Sequence, residues 1–195
     1  MSIEPQLLLL AAGASTRMGG EDKLLREIDG IPLILRQVRI ALQVSSQVSI
    51  VLPQSDRARS AWLTDVTISI IRVTARSMSA SLRAGAEAVP KGPLLILLAD
   101  MPEITANDIR AVLAQGERAP DQIVRGATSE GQAGHPVLFP ASMRHYLLGL
   151  EGDTGAQDLI RRKGAKLVVL PNQHAICDLD TPEAWAAWEA QRPKR

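Results

Sequence analysis

Leu9-Leu10-Ala11-Ala12-Gly13-Ala14-Ser15-Thr16-Arg17-Met18-Gly19-Gly20-Glu21-Asp22-Lys23-Leu24 opens inside a run of four leucines at residues 7–10. An unbroken apolar run that stops at glycine reads as a strand covered on both faces, as in a parallel sheet. A loop leaving the carboxyl end of such a strand lies where α/β sheets bind ligands. Gly13, Gly19 and Gly20 allow positive φ and let backbone amides approach phosphate oxygens. Arg17 offers a planar fork of donors and Lys23 a compact cation, and both suit a triphosphate. Two generic phosphate motifs are absent. Five residues separate Gly13 from Gly19 with no Lys-Ser/Thr after them, so this is not a Walker A loop. Ser15 takes the second glycine position of the dinucleotide fingerprint. The alternative is a glycine-rich turn with a solvated Arg and Lys.

Outward from this loop, residues 48–53 and 94–99 are further apolar runs. Residues 66–73 are β-branched-rich and 167–170 wholly apolar, with weaker strand candidates at 123–126 and 136–139. Helical spacing occupies the intervals 33–44, 78–89 and 106–115. Thr105 and Asp108 have capping-box spacing. Residues 158–163 end in three cations before Gly164, as a helix carboxyl end does. Residues 180–183, Asp-Thr-Pro-Glu, read as a helix start with Asp180 as an N-cap candidate. Strands alternating with helices predict an α/β domain with a largely parallel sheet. Residues 126–134, with three glycines, are the expected irregular segment. No repeat or linker divides the chain, so residues 1–195 are read as one domain.

Composition narrows the function. Of 195 residues 46% are apolar but only 3% aromatic, and the net charge is +1 from 22 basic and 21 acidic residues. Few stacking rings and no basic stripe argue against a nucleic-acid partner. No run approaches the roughly 20 apolar residues of a membrane span. The leucine run lacks the basic flank of a secretory signal, with Glu4 in its place. Cys177 is the single cysteine, which fits a reducing, cytoplasmic compartment. The three histidines have no His-x-x-x-His spacing, which speaks against zinc, and no Gly-x-Ser-x-Gly elbow marks a hydrolase.

Asp100 ends the most apolar strand candidate, just before Met101-Pro102. A carboxylate there needs a cation, donors or solvent, and at a phosphate site hard oxygens select Mg²⁺. The alternative is a turn residue before proline. Asp178 and Asp180 offer a second carboxylate, although Asp180 also suits an ordinary N-cap. Ser79 and Ser81 stand at a helix start, where hydroxyls and free amides hold a base edge or phosphate or simply cap the helix. His135 sits beside a strand in Gly134-His135-Pro136, and Asp153 is flanked by glycine in Gly152-Asp153-Thr154-Gly155-Ala156-Gln157.

Leu-Ala-Ala-Gly-x-Ser-x-Arg-Met-Gly followed by Lys-Leu resembles the signature of nucleotidyltransferases of the molybdenum-cofactor guanylyltransferase-like type, and especially their cytidylyltransferase-like branch. Leu97-Leu98-Ala99-Asp100-Met101-Pro102, Gly134-His135-Pro136 and Asp178-Leu179-Asp180-Thr181-Pro182-Glu183 extend the resemblance over residues 7–185. It implies a Rossmann-like, three-layer nucleoside-triphosphate transferase domain of the nucleotide-diphospho-sugar transferase type, with a mixed, mostly parallel sheet. Leu10, Ala11, Ala12, Gly13, Ala14, Ser15, Arg17, Met18, Gly19, Lys23, Ser79, Ser81 and Asp100 would bind the nucleotide. Catalysis would rest on Arg17, Lys23 and Asp100, and Mg²⁺ on Asp100 with Asp180. His135 and Asp153 would face a phosphorylated acceptor such as molybdopterin. Ala12 in place of a second glycine points to CTP, while Gly19-Gly20-Glu21-Asp22-Lys23 has the spacing of guanosine users. Gln157 stands where such families commonly carry arginine, a departure that bears on the acceptor's phosphate. Other acceptors, such as a sugar or polyol phosphate, remain open. A non-catalytic module delivering cofactor to an apoenzyme is the alternative outside enzymes.

Overall fold

A computed structural model of the chain describes residues 4–75, 77–89, 91–152 and 155–192. The chain runs β1 (Gln6–Leu10), β2 (Glu27–Ile28), β3 (Ile31–Pro32), α1 (Leu33–Leu42), β4 (Val48–Pro53), α2 (Ala58–Ala61), β5 (Ser69–Val73) and α3 (Met78–Ala88). It continues through β6 (Leu94–Leu98), α4 (Ala106–Arg118), β7 (Val124–Ala127), β8 (Ala133–Phe139), a 3₁₀ turn (Ala141–Met143), α5 (Arg144–Leu148), α6 (Gln157–Lys163), β9 (Lys166–Val169) and α7 (Pro182–Gln191). Among the described residues the main sheet has seven strands in the order β5-β4-β1-β6-β8-β7-β9. β8 pairs antiparallel with β6 and β7, while the remaining pairs are parallel.

The leucine run shows why the sheet is the middle of three layers. Side chains alternate across a strand. Leu7 and Leu9 therefore pack with Val38 of α1, Ile109 of α4 and Trp185 of α7, whereas Leu8 and Leu10 pack with Leu82 of α3, Leu147 of α5 and Leu159 of α6. A strand covered by helices on both faces has no polar side to show. The three-layer, mostly parallel architecture expected from the sequence is the one observed.

Several boundaries differ, each for a pairing reason. The strand expected at 66–73 begins only at Ser69, because its single neighbour β4 pairs from Ser49 onward. Residues 126–134 are less irregular than their glycines suggest. β7 and β8 form an antiparallel hairpin across them, closed by Thr128 N–H to Gln132 O at 3.0 Å, with Gly131 at φ 84°. β8 starts at Ala133 rather than 136. Gly134 permits this, since a Cβ there would stand 1.8 Å from the Ala175 carbonyl oxygen. Thr105 and Asp108 form the reciprocal capping box of α4. The cap of α7, by contrast, is Thr181 and not Asp180: the threonine hydroxyl accepts from Ala184 N–H at 3.1 Å. No helix among the described residues is long and apolar enough to cross a membrane.

Candidate active site

β1 and β6 are adjacent and parallel, with Leu10 opposite Leu98. Their following loops therefore leave the same edge of the sheet, and this places the glycine loop beside Asp100. The third component comes from far along the chain. Leu179 N–H donates to the Asp100 carbonyl at 3.1 Å, which pins residues 178–180 against the end of β6. With Thr181 taking the cap, the Asp180 carboxylate is free to turn toward the loop. α7 holds that geometry through Trp185, fully buried, and through Trp188, whose indole N–H donates to Glu103.

The result is a compact charge cluster. Lys23, only 8% exposed, donates from Nζ to Asp100 Oδ2 and to Asp180 Oδ1, and Arg17 Nη2 donates to Asp180 Oδ2. Burial opposes the charge on Lys23, but the Asp100 and Asp180 carboxylates outweigh it and hold its pKa above the ordinary lysine value. Asp178 moves up, because burial and the neighbouring charges of Asp180 and Asp100 all disfavour a third anion. The other carboxylate oxygen of Asp100, Oδ1, is buried without a hydrogen-bond partner. A buried anionic oxygen left alone is costly, and a cation relieves that cost.

These residues fit Mg²⁺. It takes hard oxygen ligands and commonly uses one or two protein carboxylates, completing its shell with water and substrate phosphate. Asp100 and Asp180 would supply that pair. Among the described residues no group of three or more His, Cys, Asp or Glu side chains converges as a metal site.

The loop itself is held from beneath. Arg59, in α2 and 4% exposed, donates from Nε to Asp22 Oδ2 at 2.7 Å and from Nη2 to Asp22 Oδ1 at 3.0 Å and the Gly13 carbonyl at 2.9 Å. Its Nη1 donates to the Ala11 carbonyl. Asp22 also accepts from Leu24 N–H at 3.0 Å and Ser15 Oγ at 3.3 Å. Sequence reading missed Arg59. Its only signal is a second arginine in Asp56-Arg57-Ala58-Arg59, and Arg57 is exposed.

Of the residues expected to bind nucleotide, Leu10, Ala11, Ala12, Gly13, Lys23, Ser81 and Asp100 line one cavity of about 110 Å³, together with Met78. Ala14 and Ser15 border a more open cavity of about 350 Å³ shared with Asp56 and Arg59. Gly19 and Gly20 have positive φ, 63° and 101°, and are exposed. Met18 lies in the core at 2% exposure and anchors the loop rather than lining a cavity. Ser79 turns away to donate to the Glu151 carbonyl at 3.2 Å, and Ser77 caps α3 by accepting from Ala80 N–H. Asp153 lies outside the described residues.

His135 lines a third cavity, of about 90 Å³, that shares Leu10 and Met78 with the cavity beside Asp100. Burial and the Arg125 charge push its pKa down to about 4, against partial support from Asp100 and the Ile96 backbone. The ring is therefore neutral near pH 7. Arg125, in β7, also lines this cavity and was not singled out by sequence.

Residues 7–167 match the model of the MobA-like NTP transferase domain. A molybdenum cofactor guanylyltransferase of Pseudomonas paraeruginosa is 35% identical over 187 residues, covering 92% of each chain. Rv0371c of Mycobacterium tuberculosis H37Rv superposes with a TM-score of 0.86 at 22% identity, covering 98% of this chain and 100% of that one, and its manganese complex does so with 0.79 at 20%, covering 97% and 100%. A CMP:2-keto-3-deoxy-manno-octonic acid synthetase complexed with CTP has the same fold, with a TM-score of 0.76 at 14% identity over 96% and 98% of the two chains.

Proposed function

Because the chain belongs to the MobA-like NTP transferase family, we propose that it transfers a nucleoside monophosphate from a magnesium-bound triphosphate, CTP in the first instance, to a phosphorylated acceptor such as molybdopterin. The carrying observation is Lys23 held between Asp100 and Asp180 at the mouth of the glycine loop, with Asp100 Oδ1 left without a partner.

Phosphoryl transfer asks a protein chiefly for alignment and charge neutralisation. Magnesium, held by Asp100 and Asp180, would supply a Lewis acid for the α-phosphate and the departing pyrophosphate. Lys23 is the internal counter-ion of the free protein, and it turns from the carboxylates to the nucleotide phosphates when they arrive. Arg17, its side chain 69% exposed, would swing from Asp180 to fold over the outer phosphates. The exposed backbone at Gly13, Ala14, Gly19 and Gly20 lies open to them as well. An acceptor phosphate is already ionised near neutral pH, so the attack needs no general base.

Ala12 favours the smaller base. It is 3% exposed and lines the cavity of about 110 Å³, where its methyl takes space that glycine would leave to a purine. Guanylyl transfer is the second reading, supported by the guanylyltransferase relative at 35% identity. Both readings are tested by pyrophosphate release with molybdopterin as acceptor and CTP or GTP as donor. Release with CTP that vanishes in Asp100→Ala, with the circular dichroism unchanged, is the expected result. Release confined to GTP moves the reaction to guanylyl transfer. Near-normal release by Asp100→Ala would sink the mechanism.

A further inference from the structure

The cavity around His135 carries a charge that no described residue answers. Arg125 is half-buried, and among the described residues its side chain makes one hydrogen bond, from Nε to the Gly134 carbonyl at 3.1 Å. Among the described residues no carboxylate lies within ion-pair distance of it. Desolvation alone already lowers its pKa. Next to it, His135 Nδ1 is buried without a partner. In the neutral ring Nδ1 is an acceptor when the proton sits on Nε2. The rest of the lining is mostly apolar, with Phe139 on one side and the exposed Gln157 at the mouth. Leu10 and Met78 are common to this cavity and the one beside Asp100, so a molecule seated here abuts the nucleotide.

A half-buried guanidinium with no counter-ion among the described residues is costly, and an anionic ligand relieves that cost. We propose that Arg125 binds the phosphate monoester of the acceptor, that the acceptor's flat or apolar body fills the cavity over Phe139, and that His135 Nδ1 accepts a hydrogen bond from an O–H or N–H of the same molecule. This rests on the transferase reading for the word acceptor, but the anion site stands on its own geometry. Arg125 is thereby a specificity-determining residue: it selects a phosphorylated acceptor over a neutral one of equal shape. Gln157 controls the site from its rim, because a carboxylate there would pair with Arg125 and close the site to anions.

Phenyl phosphate, with benzyl alcohol as its neutral counterpart, probes the site without metal or nucleotide. Titrations followed by ¹H–¹⁵N spectra would compare the wild type with Arg125→Gln and Gln157→Glu. The expected result is a saturable shift at Arg125 Nε–H and at the His135 ring nitrogens, with at least tenfold weaker binding in both variants, since charge-assisted hydrogen bonds are among the strong ones. Benzyl alcohol should bind all three proteins alike. Shifts confined to residues 13–23, or a loss below tenfold in Gln157→Glu, would overturn the proposal. Gln157→Glu alters an exposed position, so it decides the matter even where Arg125→Gln fails to fold. Titrating the same proteins with Mg·CTP and Mg·GTP reads the transferase assignment separately: no nucleotide binding would remove the word acceptor and leave the anion site to the phenyl phosphate result.

Discussion

Two clusters of opposite charges flank the same glycine loop, and they differ in what they leave undone. Beneath it, Arg59 reaches Asp22 and the carbonyls of Ala11 and Gly13, and lies 3.3 Å from Asp56, so its donors end on protein acceptors. In front of it, Lys23 joins Asp100 and Asp180, yet Asp100 Oδ1 stays buried and unpartnered. The first cluster is closed and therefore structural. The second is open and therefore available for chemistry. Charge alone does not separate the two clusters; the unpartnered oxygen of Asp100 does.

The largest expected effect comes from the open cluster. Asp100→Ala should lower the rate of transfer by about a thousandfold or more, the scale of losing a principal transition-state electrostatic contact. Its urea midpoint should stay near that of the wild type, because Lys23 keeps Asp180 as a partner. The closed cluster should behave in the opposite way. Arg59→Met strands Asp22, Asp56 and two carbonyls, and should cost roughly 3–5 kcal/mol in urea unfolding, as breaking a buried ion pair does. If Arg59→Met were as stable as the wild type, the contrast would fail.

Protonation sharpens the comparison. The folded pKa of His135, about 4, lies below its ordinary 6.5. The unfolded chain therefore takes up the proton first as the pH falls. Stability is lost from about pH 6.5 down to about pH 4, by up to about 3 kcal/mol, and no further below. His135→Asn should lack this part of the slope, a difference read from paired urea titrations at pH 7 and pH 4.5. The smallest effect concerns Thr181. Thr181→Ala removes one cap bond and should cost about 1 kcal/mol of stability. It should also weaken metal-dependent nucleotide binding by loosening Asp180.

Short-range features were legible in the sequence and long-range ones were not. The leucine run, the glycine loop and Asp100 are set by consecutive residues, and the structure puts the loop and Asp100 at one sheet edge because β1 and β6 are neighbours. Arg59 was illegible because burial distinguishes it from Arg57 and composition does not. The roles of Asp180 and Thr181 were ambiguous, since adjacent residues of similar capping propensity compete and only backbone direction decides between them. The antiparallel course of β8 was hidden for a like reason. A buried strand reads the same in either direction, and its pairing with β6 is settled by partners more than thirty residues away in sequence. Arg125 was invisible because an isolated arginine in a weak strand carries no sign of whether a carboxylate faces it.

The central claim is that the open cluster awaits a metal-bound triphosphate, and calorimetric titration of CTP, GTP, ATP and UTP with and without Mg²⁺ tests it most directly. The account predicts saturable binding of CTP, or of GTP on the second reading, that needs Mg²⁺ and is lost in Asp100→Asn. Binding that ignores both the metal and Asp100, or no binding of any of the four with molybdopterin present, would contradict it.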